Sequence, residues 1–420
     1  MNISKELIEK KCREIEEQAI AWRRDIHQHP EMANQETRTS ALAYEHLKKI
    51  GVDIVKNNLA GGTGVMGVIK GTQPGPVVAL RADMDAQATK EETDLPFKSE
   101  ETCKWGENTI PVMHSCGHDV HTAMLMAAAQ VLVDLRNYIH GTVVVIFQPA
   151  EEGPSPGWKG DYGAKLFMQE EFFNEYRPDA MFTLHIDPTQ PIGSAGEIGY
   201  KAGQTCMGIS AFTIQVKGVG GHGAKPWLGI DALLPAANIL QQIQNITTRN
   251  VNPSANPVVC TIGQFYGGTK FNVTAEEAVL AGGCRYTDYS TKDMLERRIM
   301  EVTKGCAIAG GAEAEVTWDM RQPPNINDPE LVESMTPRLK ELLGDDNVYV
   351  SEERGFKFPD DFAHYSIEIP SIYAALSVAP DEGKPEVVSG LHTPTLLVNE
   401  RSIIGGIKAH VAFALAYGAK

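Results

Sequence analysis

The sequence has no apolar run of about 18 residues, so nothing in it reads as a membrane-spanning helix. It has no internal repeat, no low-complexity tract and no long block of like charge. It also lacks positive charge: 38 Lys and Arg stand against 54 Asp and Glu, a formal net charge of −16. That balance argues against nucleic acid and against anionic membrane surfaces as partners. An anionic substrate stays open, because a local cationic centre can outweigh a diffuse negative background. The amino-terminal "MNISKELIEKKCREIEE" lacks the apolar core of a secretory signal and reads as a charged helix. Cysteine is sparse and odd in number, seven in all: Cys12, Cys103, Cys116, Cys206, Cys260, Cys284 and Cys306. The expectation is a cytoplasmic protein with reduced thiols rather than a disulfide frame. Most of these thiols should behave as small buried hydrophobes, but Cys116 has polar, ligand-type neighbours.

What is present is a globular composition, 42% hydrophobic and 22% charged over 420 residues, long enough for two domains. "KELIEKKCREIEEQAIAWRRDIHQHP" and "ETRTSALAYEHLKKIG" read as amphipathic helices, stopped near Pro30 and at Gly51. The runs "GVMGVIKG", "PVVALRADMD", "TVVVIFQPAEEG" and "DAMFTLHID" follow, with "HTAMLMAAAQVLVDLRNYI" as the clearest helix between them. Continuous apolar, β-branched runs predict strands buried on both faces of a largely parallel sheet. From about residue 203 the order becomes strand, helix, strand, strand, helix, strand, the split pattern of a ferredoxin-like domain. Beyond about residue 320 the α/β pattern resumes. The expected organisation is a discontinuous catalytic domain, 1–202 and 321–420, with an α+β domain inserted at 203–320.

Ligand-type residues gather at predicted strand ends. Asp83 and Asp85 follow "PVVAL", Glu151 and Glu152 follow "TVVVIFQPA", and His185 follows "DAMFTL". The carboxyl ends of strands in an open α/β sheet form its functional crevice. "HSCGHDVHTAM" opens a helix at the same edge, with Asp119 placed to cap it, and "GLHTPTLLVN" adds His392 in a loop. One thiolate, three histidines and a carboxylate form a borderline-soft set that suits Zn²⁺ and tolerates Mn²⁺ or Co²⁺. Each element also has a plainer reading. Asp83 and Asp85 could be turn residues, and Glu151 and Glu152 could start a helix. Locally, Cys116 could be a nucleophile, a redox thiol or a ligand. His27, His29, His46, His140, His364 and His410 read as solvated.

"WRRDIHQHPE", "LRADMDA", "MHSCGHDVHTAML", "FQPAEEG", "LHI", "GHGAKPWLGIDAL" and "DDFAHY" occur in that order along nearly the whole chain. Together they resemble the metal-dependent amidohydrolases and peptidases that include aminoacylase, hippurate hydrolase, carboxypeptidase G and the plant indole-acetyl-amino-acid hydrolases. The resemblance implies a zinc-peptidase-like α/β catalytic domain and an inserted ferredoxin-like domain that serves as lid and dimer interface. It implies Cys116, His118, Glu152, His185 and His392 as ligands of two divalent metal ions, Zn or Mn, with Co or Ni possible. Glu151 would then be the general base and Asp85 an orienting residue. His222 would assist the transition state, with Asn272 and Arg285 as further substrate contacts. The subgroup that carries "CGHD" cleaves amide bonds of N-acyl amino acids, with acetyl, benzoyl or p-aminobenzoyl groups as candidates. The alternatives are a dipeptidase or carboxypeptidase of the same family, or a binding protein that keeps the fold without turnover.

This chain departs from the family pattern at "DMDAQA" (83–88), at the longer "GPSPGWKGDYGAK" (153–165) and at "AGGCRYTD" around Arg285. A nucleophilic Cys116 would leave Glu151, Glu152, His185 and His392 without a role, whereas a ligand thiolate uses all of them.

Overall fold

A computed structural model describes residues 3–188, 194–351, 359–378 and 390–419. The chain divides into two compact units, one of them built on Cys206–Asn325 and the other on the chain to either side of it.

The flanking unit begins with helices α1 (Lys5–Gln28) and α2 (Thr37–Lys49). Ser4 caps α1 by accepting from the Leu7 N–H, as a short hydroxyl before a helix should. The buried face of α1 runs Ile8, Cys12, Ile15, Ala19, Arg23, Ile26 and His27, a stripe of helical period. Strands β1 (Ile54–Leu59), β2 (Gly64–Lys70) and β3 (Gln73–Asp83) follow, then the hairpin β4 (Thr102–Trp105) and β5 (Asn108–Pro111). Helix α3 (His118–Asp134) leads to β6 (His140–Gln148), the short helices α4 (Gly163–Phe167) and α5 (Glu171–Glu175), and β7 (Ala180–Asp187). Strands β8 (Ile198–Tyr200) and β9 (Gly203–Cys206) lead up to the first crossing between units.

The central unit contains β10 (Gly208–Lys217), β11 (Gly221–His222), α6 (Leu233–Arg249), β12 (Val259–Gly267), β13 (Val273–Thr274), β14 (Glu277–Tyr286), α7 (Tyr289–Ala309) and β15 (Glu313–Gln322). Its sheet order is β12-β14-β10-β15, and every pair is antiparallel. That is the ferredoxin-like arrangement expected from the strand and helix order. Ile214, Ile239, Ile243, Leu280 and Ile299 are among the side chains of its core.

The chain returns through β16 (Asn325–Asn327), α8 (Pro329–Leu343), β17 (Val348–Val350), α9 (Ala363–Glu368), β18 (Ser371–Ser377) and α10 (Ile403–Gly418). The large sheet has the order β1-β2-β6-β3-β7-β18-β8-β17. Its centre, β6-β3-β7-β18, is parallel throughout. Toward one edge the sheet turns antiparallel: β2 lies antiparallel to both β1 and β6. An apolar run reports burial on both faces, which β2 has, but not strand direction.

Helices α3 and α10 are apolar on nearly every side, and almost every residue in them is buried. A helix with no polar face belongs inside a core. Gly405 and Gly406 let α10 close on its neighbours: a Cβ would lie 2.1 Å from the Gly196 carbonyl oxygen at the first and 2.0 Å from Met124 Sδ at the second. No described helix is long and apolar enough to cross a membrane. All seven cysteines are free.

Candidate metal centre

The parallel order β6-β3-β7 carries the carboxyl ends of three adjacent strands to one edge. Asp83 ends β3 opposite Gln148, which ends β6, and His185 lies in the last turn of residues of β7. Two backbone features then aim the loops. Gly117 has φ +85° and precedes α3; a Cβ there would lie 2.2 Å from Ile186 Cδ1, so only glycine fits between Cys116 and His118. Ala150 takes φ +54°, rare for a residue with a side chain, and turns the chain after β6 so that Glu151 and Glu152 follow. Its N–H donates to the buried Glu36 carboxylate at 2.9 Å, which ties down that turn.

The five expected ligand residues come together. Cys116 Sγ lies 3.5 Å from His185 Nε2 and 3.1 Å from His392 Nε2. His392 Nε2 also lies 2.9 Å from Glu152 Oε1. Ligand atoms of Cys116, His118 and His185 fall within 4.8 Å of one another, as do those of Cys116, Glu152 and His392, and those of His118, Glu151 and Glu152. His392 has φ +62°, and its N–H donates to the Ser115 carbonyl at 2.7 Å, which locks its loop to the Cys116 turn.

The imidazoles are oriented as ligands usually are, with Nδ1 tied to a carbonyl. His118 Nδ1 donates to the Asp85 carbonyl at 2.8 Å, and His185 Nδ1 donates to the Ile186 carbonyl at 2.8 Å. With Nδ1 so engaged, His185 turns Nε2 to Cys116 Sγ and His118 turns Nε2 toward Glu151. His118 Nε2 is buried without a hydrogen-bond partner among the described residues. The carboxylate oxygens of Asp83 and Glu151 stand 3.8 and 3.9 Å from it. The Asp85 carboxylate accepts from the N–H groups of Glu151 (3.1 Å) and Glu152 (3.0 Å), so one side chain sets both glutamates.

The electrostatics call for positive charge. Burial opposes charge on His118, yet Asp83, Asp85 and Glu152 push its imidazole up to about 10. Burial and then the charges of Glu152 and Glu151 push the Cys116 thiol well up. Burial, followed by His121, holds His185 well below the usual range. A nucleophilic cysteine needs its thiol held below the ordinary range, and here burial and two carboxylates push it the other way. Burial raises Glu152, but its His392 hydrogen bond and the His118 charge win and hold it at about 2. Burial first, then Asp360, Glu152 and Asp361, push Glu151 well above the carboxylate range. Adjacent glutamates are thus driven apart, one toward a permanent charge and one toward carrying a proton. Thiolate, imidazole and carboxylate donors around an orphaned Nε2 fit divalent ions such as Zn²⁺ or Mn²⁺.

The other sequence-derived candidates lie in the central unit. His222 pairs with Val273, and the Gly223 N–H donates to the Asn272 carbonyl at 2.9 Å, so His222 and Asn272 lie side by side on paired segments. Arg285 sits near the far end of β14, opposite Ile209 and Val259, away from that pair. The glycines of "GGHGAKP" (220–226) are not there for a left-handed backbone. Gly220, Gly221 and Gly223 all lack positive φ, and crowding explains two of them. A Cβ would meet Glu276 Oε1 at 2.3 Å from Gly220 and the Asn272 backbone at 2.9 Å from Gly223.

Two expectations are corrected. Asp119 does not cap α3: Gly117 holds that position, and the Asp119 carboxylate turns to Arg23 Nε (2.8 Å) and His27 Nδ1 (2.9 Å). His27, His46 and His410 are buried, not solvated. His27 extends the α1 stripe one turn beyond Arg23, and its position in the helical period was the available signal.

Sequence reasoning also passed over residues around the ligands. His121 Nδ1 donates to Asp83 Oδ1 at 2.6 Å, and its Nε2 accepts the Ile186 N–H at 3.0 Å, so both nitrogens are used. Arg81 donates to Asp83 (2.6 Å) and Asp361 (3.0 Å), and Asp361 also accepts from Gln148. Arg81 and Asp83 alternate along β3, which places both on one face of it.

Comparison with known proteins shows the family of the chain. A family model described as Peptidase family M20/M25/M40 matches residues 79–416. The chain is 31% identical to the N-acetyl-L-cysteine deacetylase of Bacillus subtilis, covering 93% of this chain and 86% of that protein. It is also 31% identical to the hippurate hydrolase of Campylobacter jejuni, covering 94% and 95% respectively. Among solved structures, a dinuclear metal-binding M20 peptidase from Bacillus subtilis superposes with a TM-score of 0.77 at 27% identity. That match covers 97% of this chain and 99% of the other.

Proposed function

Because the chain belongs to the M20/M25/M40 peptidase family and is a metallo-amidohydrolase, we propose that it hydrolyses the amide bond of N-acyl amino acids, with Glu151 as general base. Acetyl, benzoyl and p-aminobenzoyl groups are the acyl candidates. The observation that carries the reading is the convergence of Cys116, His118, Glu152, His185 and His392 beside Glu151. These five residues would hold two divalent ions, Zn²⁺ or Mn²⁺. Bound there, the ions supply Lewis acidity toward the amide carbonyl and lower the pKa of the attacking water to about 7.

Glu151 takes the proton from that water and delivers it to the leaving nitrogen, base and then acid. Its Oε1 accepts the Asp361 N–H at 3.2 Å, and its Oε2 faces His118, so Oε2 is the proton carrier. Asp85 keeps the two glutamates in register through their N–H groups. His222 donates a hydrogen bond to the developing oxyanion. Support for this comes from its ring: Nδ1 accepts the Ala224 N–H at 3.0 Å, which leaves the proton on the exposed Nε2. Losing one such donor typically costs about 2.7–4 kcal/mol of barrier. Asn272, on the segment paired with His222, and Arg285 contact the substrate's polar groups. The inserted unit pairs with its copy in a homodimer, and the enzyme works in the cytoplasm.

The test is a panel of N-acetyl, N-benzoyl and p-aminobenzoyl amino acids with added Zn²⁺, Mn²⁺ or Co²⁺, read as free amine. Release that is abolished by a chelator supports the reading. A preparation shown to carry metal that cleaves none of them, but does cleave free dipeptides, replaces it with a dipeptidase.

A further inference from the structure

We propose that Asp361 is a positioning residue for the reaction, holding Glu151 through its main-chain N–H so that one defined carboxylate oxygen moves the proton. The inference rests on the reading of Glu151 as the base. The Asp361 N–H donates to Glu151 Oε1 at 3.2 Å, which removes that oxygen from service and fixes the rotation of the carboxylate. Oε2 is left toward His118. A base held in one orientation avoids reorganisation when the proton moves.

Asp361 can hold Glu151 only if it is itself immobile, and its own side chain secures that. It is 1% exposed, and its carboxylate accepts from Arg81 Nη2 (3.0 Å), Gln148 Nε2 (2.8 and 3.0 Å) and the Ala164 N–H (2.7 Å). Those donors come from β3, from β6 and from the end of the 153–165 stretch, three segments that meet on this one carboxylate. Gly163 completes the socket. It has φ +52°, and a Cβ there would lie 2.0 Å from Asp361 Oδ2, so the glycine makes room for the carboxylate. Arg81 links the socket to the ligand side through Asp83, whose other oxygen takes the His121 proton. Arg81 reaches Asp360, Asp361 and Asp83 at once, one positive charge among three carboxylates. Asp361 therefore acts through Glu151.

The test is Asp361→Asn, measured alone and in the Glu151→Gln background, with an N-acyl amino acid that the wild type cleaves. The amide of Asn turns a donor toward Gln148, Arg81 or Ala164 N–H, so the socket no longer closes. Alone, the variant is expected to lose about 30-fold or more in kcat, within the range general-base catalysis supplies, with KM shifted less than about 3-fold. Bound metal per chain should stay at the wild-type value. On top of Glu151→Gln, the same change should cost less than about 3-fold, because the residue it positions is no longer a base. Equal losses in both backgrounds, no loss in kcat, or loss of metal overturns the proposal. Full turnover by Glu151→Gln alone removes the base reading, and this proposal with it. Should Asp361→Asn fail to fold, Gln148→Met withdraws one of the three donors, with both of its contacts, while keeping the buried charge pair. It is held to the same outcomes.

Discussion

Cys116 Sγ and His392 Nε2 lie 3.1 Å apart although 276 positions separate them in sequence. The contact closes the site from opposite ends of the chain, and His392 reaches it in a left-handed backbone conformation held by the Ser115 carbonyl. Cys116→Ala and His392→Ala should therefore each lose bound metal and activity together. Residues that only orient metal ligands cost about 10–100-fold when changed, so a ligand itself should cost about 100-fold or more. Metal analysis alongside turnover decides the point. Full occupancy with normal turnover in Cys116→Ala would remove the thiolate from the site.

The two glutamates should separate. Glu151→Gln is expected to keep metal and substrate binding while kcat falls by about 10²–10⁴. Glu152→Gln should lower metal affinity instead, since its carboxylate stands among His392, Cys116 and His118. Isothermal titration with metal and steady-state kinetics measure the two effects. Equal metal loss in both variants would show the roles assigned wrongly.

His222 belongs to the central unit and the metal ligands to the flanking one. If dimerisation brings each His222 to the partner's site, two inactive proteins should complement each other. His222→Ala mixed with Glu151→Gln, under conditions where subunits exchange, is expected to regain up to half of wild-type activity per heterodimer. Native mass spectrometry reads the exchange and an amine assay reads the recovery. Exchange without recovery would mean that His222 serves its own chain or serves no catalytic role.

Much of this was legible because chemistry and period coincide in the sequence. Apolar runs ending in Asp83, Glu151 and His185 marked strands and their carboxyl ends, and the parallel order β6-β3-β7 makes those ends neighbours. The inserted ferredoxin-like unit was legible from element order alone. What could not be read was which polar groups turn inward. Asp119 occupies a helix start where a cap is the simplest local use, yet Arg23, 96 positions away, competes for it and wins in the buried interior. Asp361 looks like one of two ordinary acids in a loop, and its importance comes entirely from donors on three distant segments. Strand direction in β2 was hidden for a related reason, since burial on both faces is common to both directions.

His46 offers a pH test away from the site. It is buried, with Nε2 3.1 Å from the Met126 carbonyl oxygen, and burial lowers its pKa from 6.5 to about 4. The folded protein thus binds fewer protons there than the unfolded chain. The resulting stability is fully present above about pH 6.5 and is lost as pH falls through about pH 4. That contribution is on the order of 3 kcal/mol. His46→Gln, which keeps a donor toward Met126, should flatten the pH dependence between those limits. Denaturant titrations of metal-free protein at about pH 7 and about pH 4.5 measure it. An unchanged pH dependence in the variant would contradict the burial of a neutral imidazole.

The central claim is that Cys116, His118, Glu152, His185 and His392 form a two-ion centre that drives amide hydrolysis. It is tested most directly by stripping the protein of metal and titrating Zn²⁺ or Mn²⁺ back while following bound metal and released amine in the same samples. The account predicts two ions bound per chain, no turnover in the stripped protein, and recovery that tracks occupancy. Undiminished cleavage after complete metal removal would contradict it.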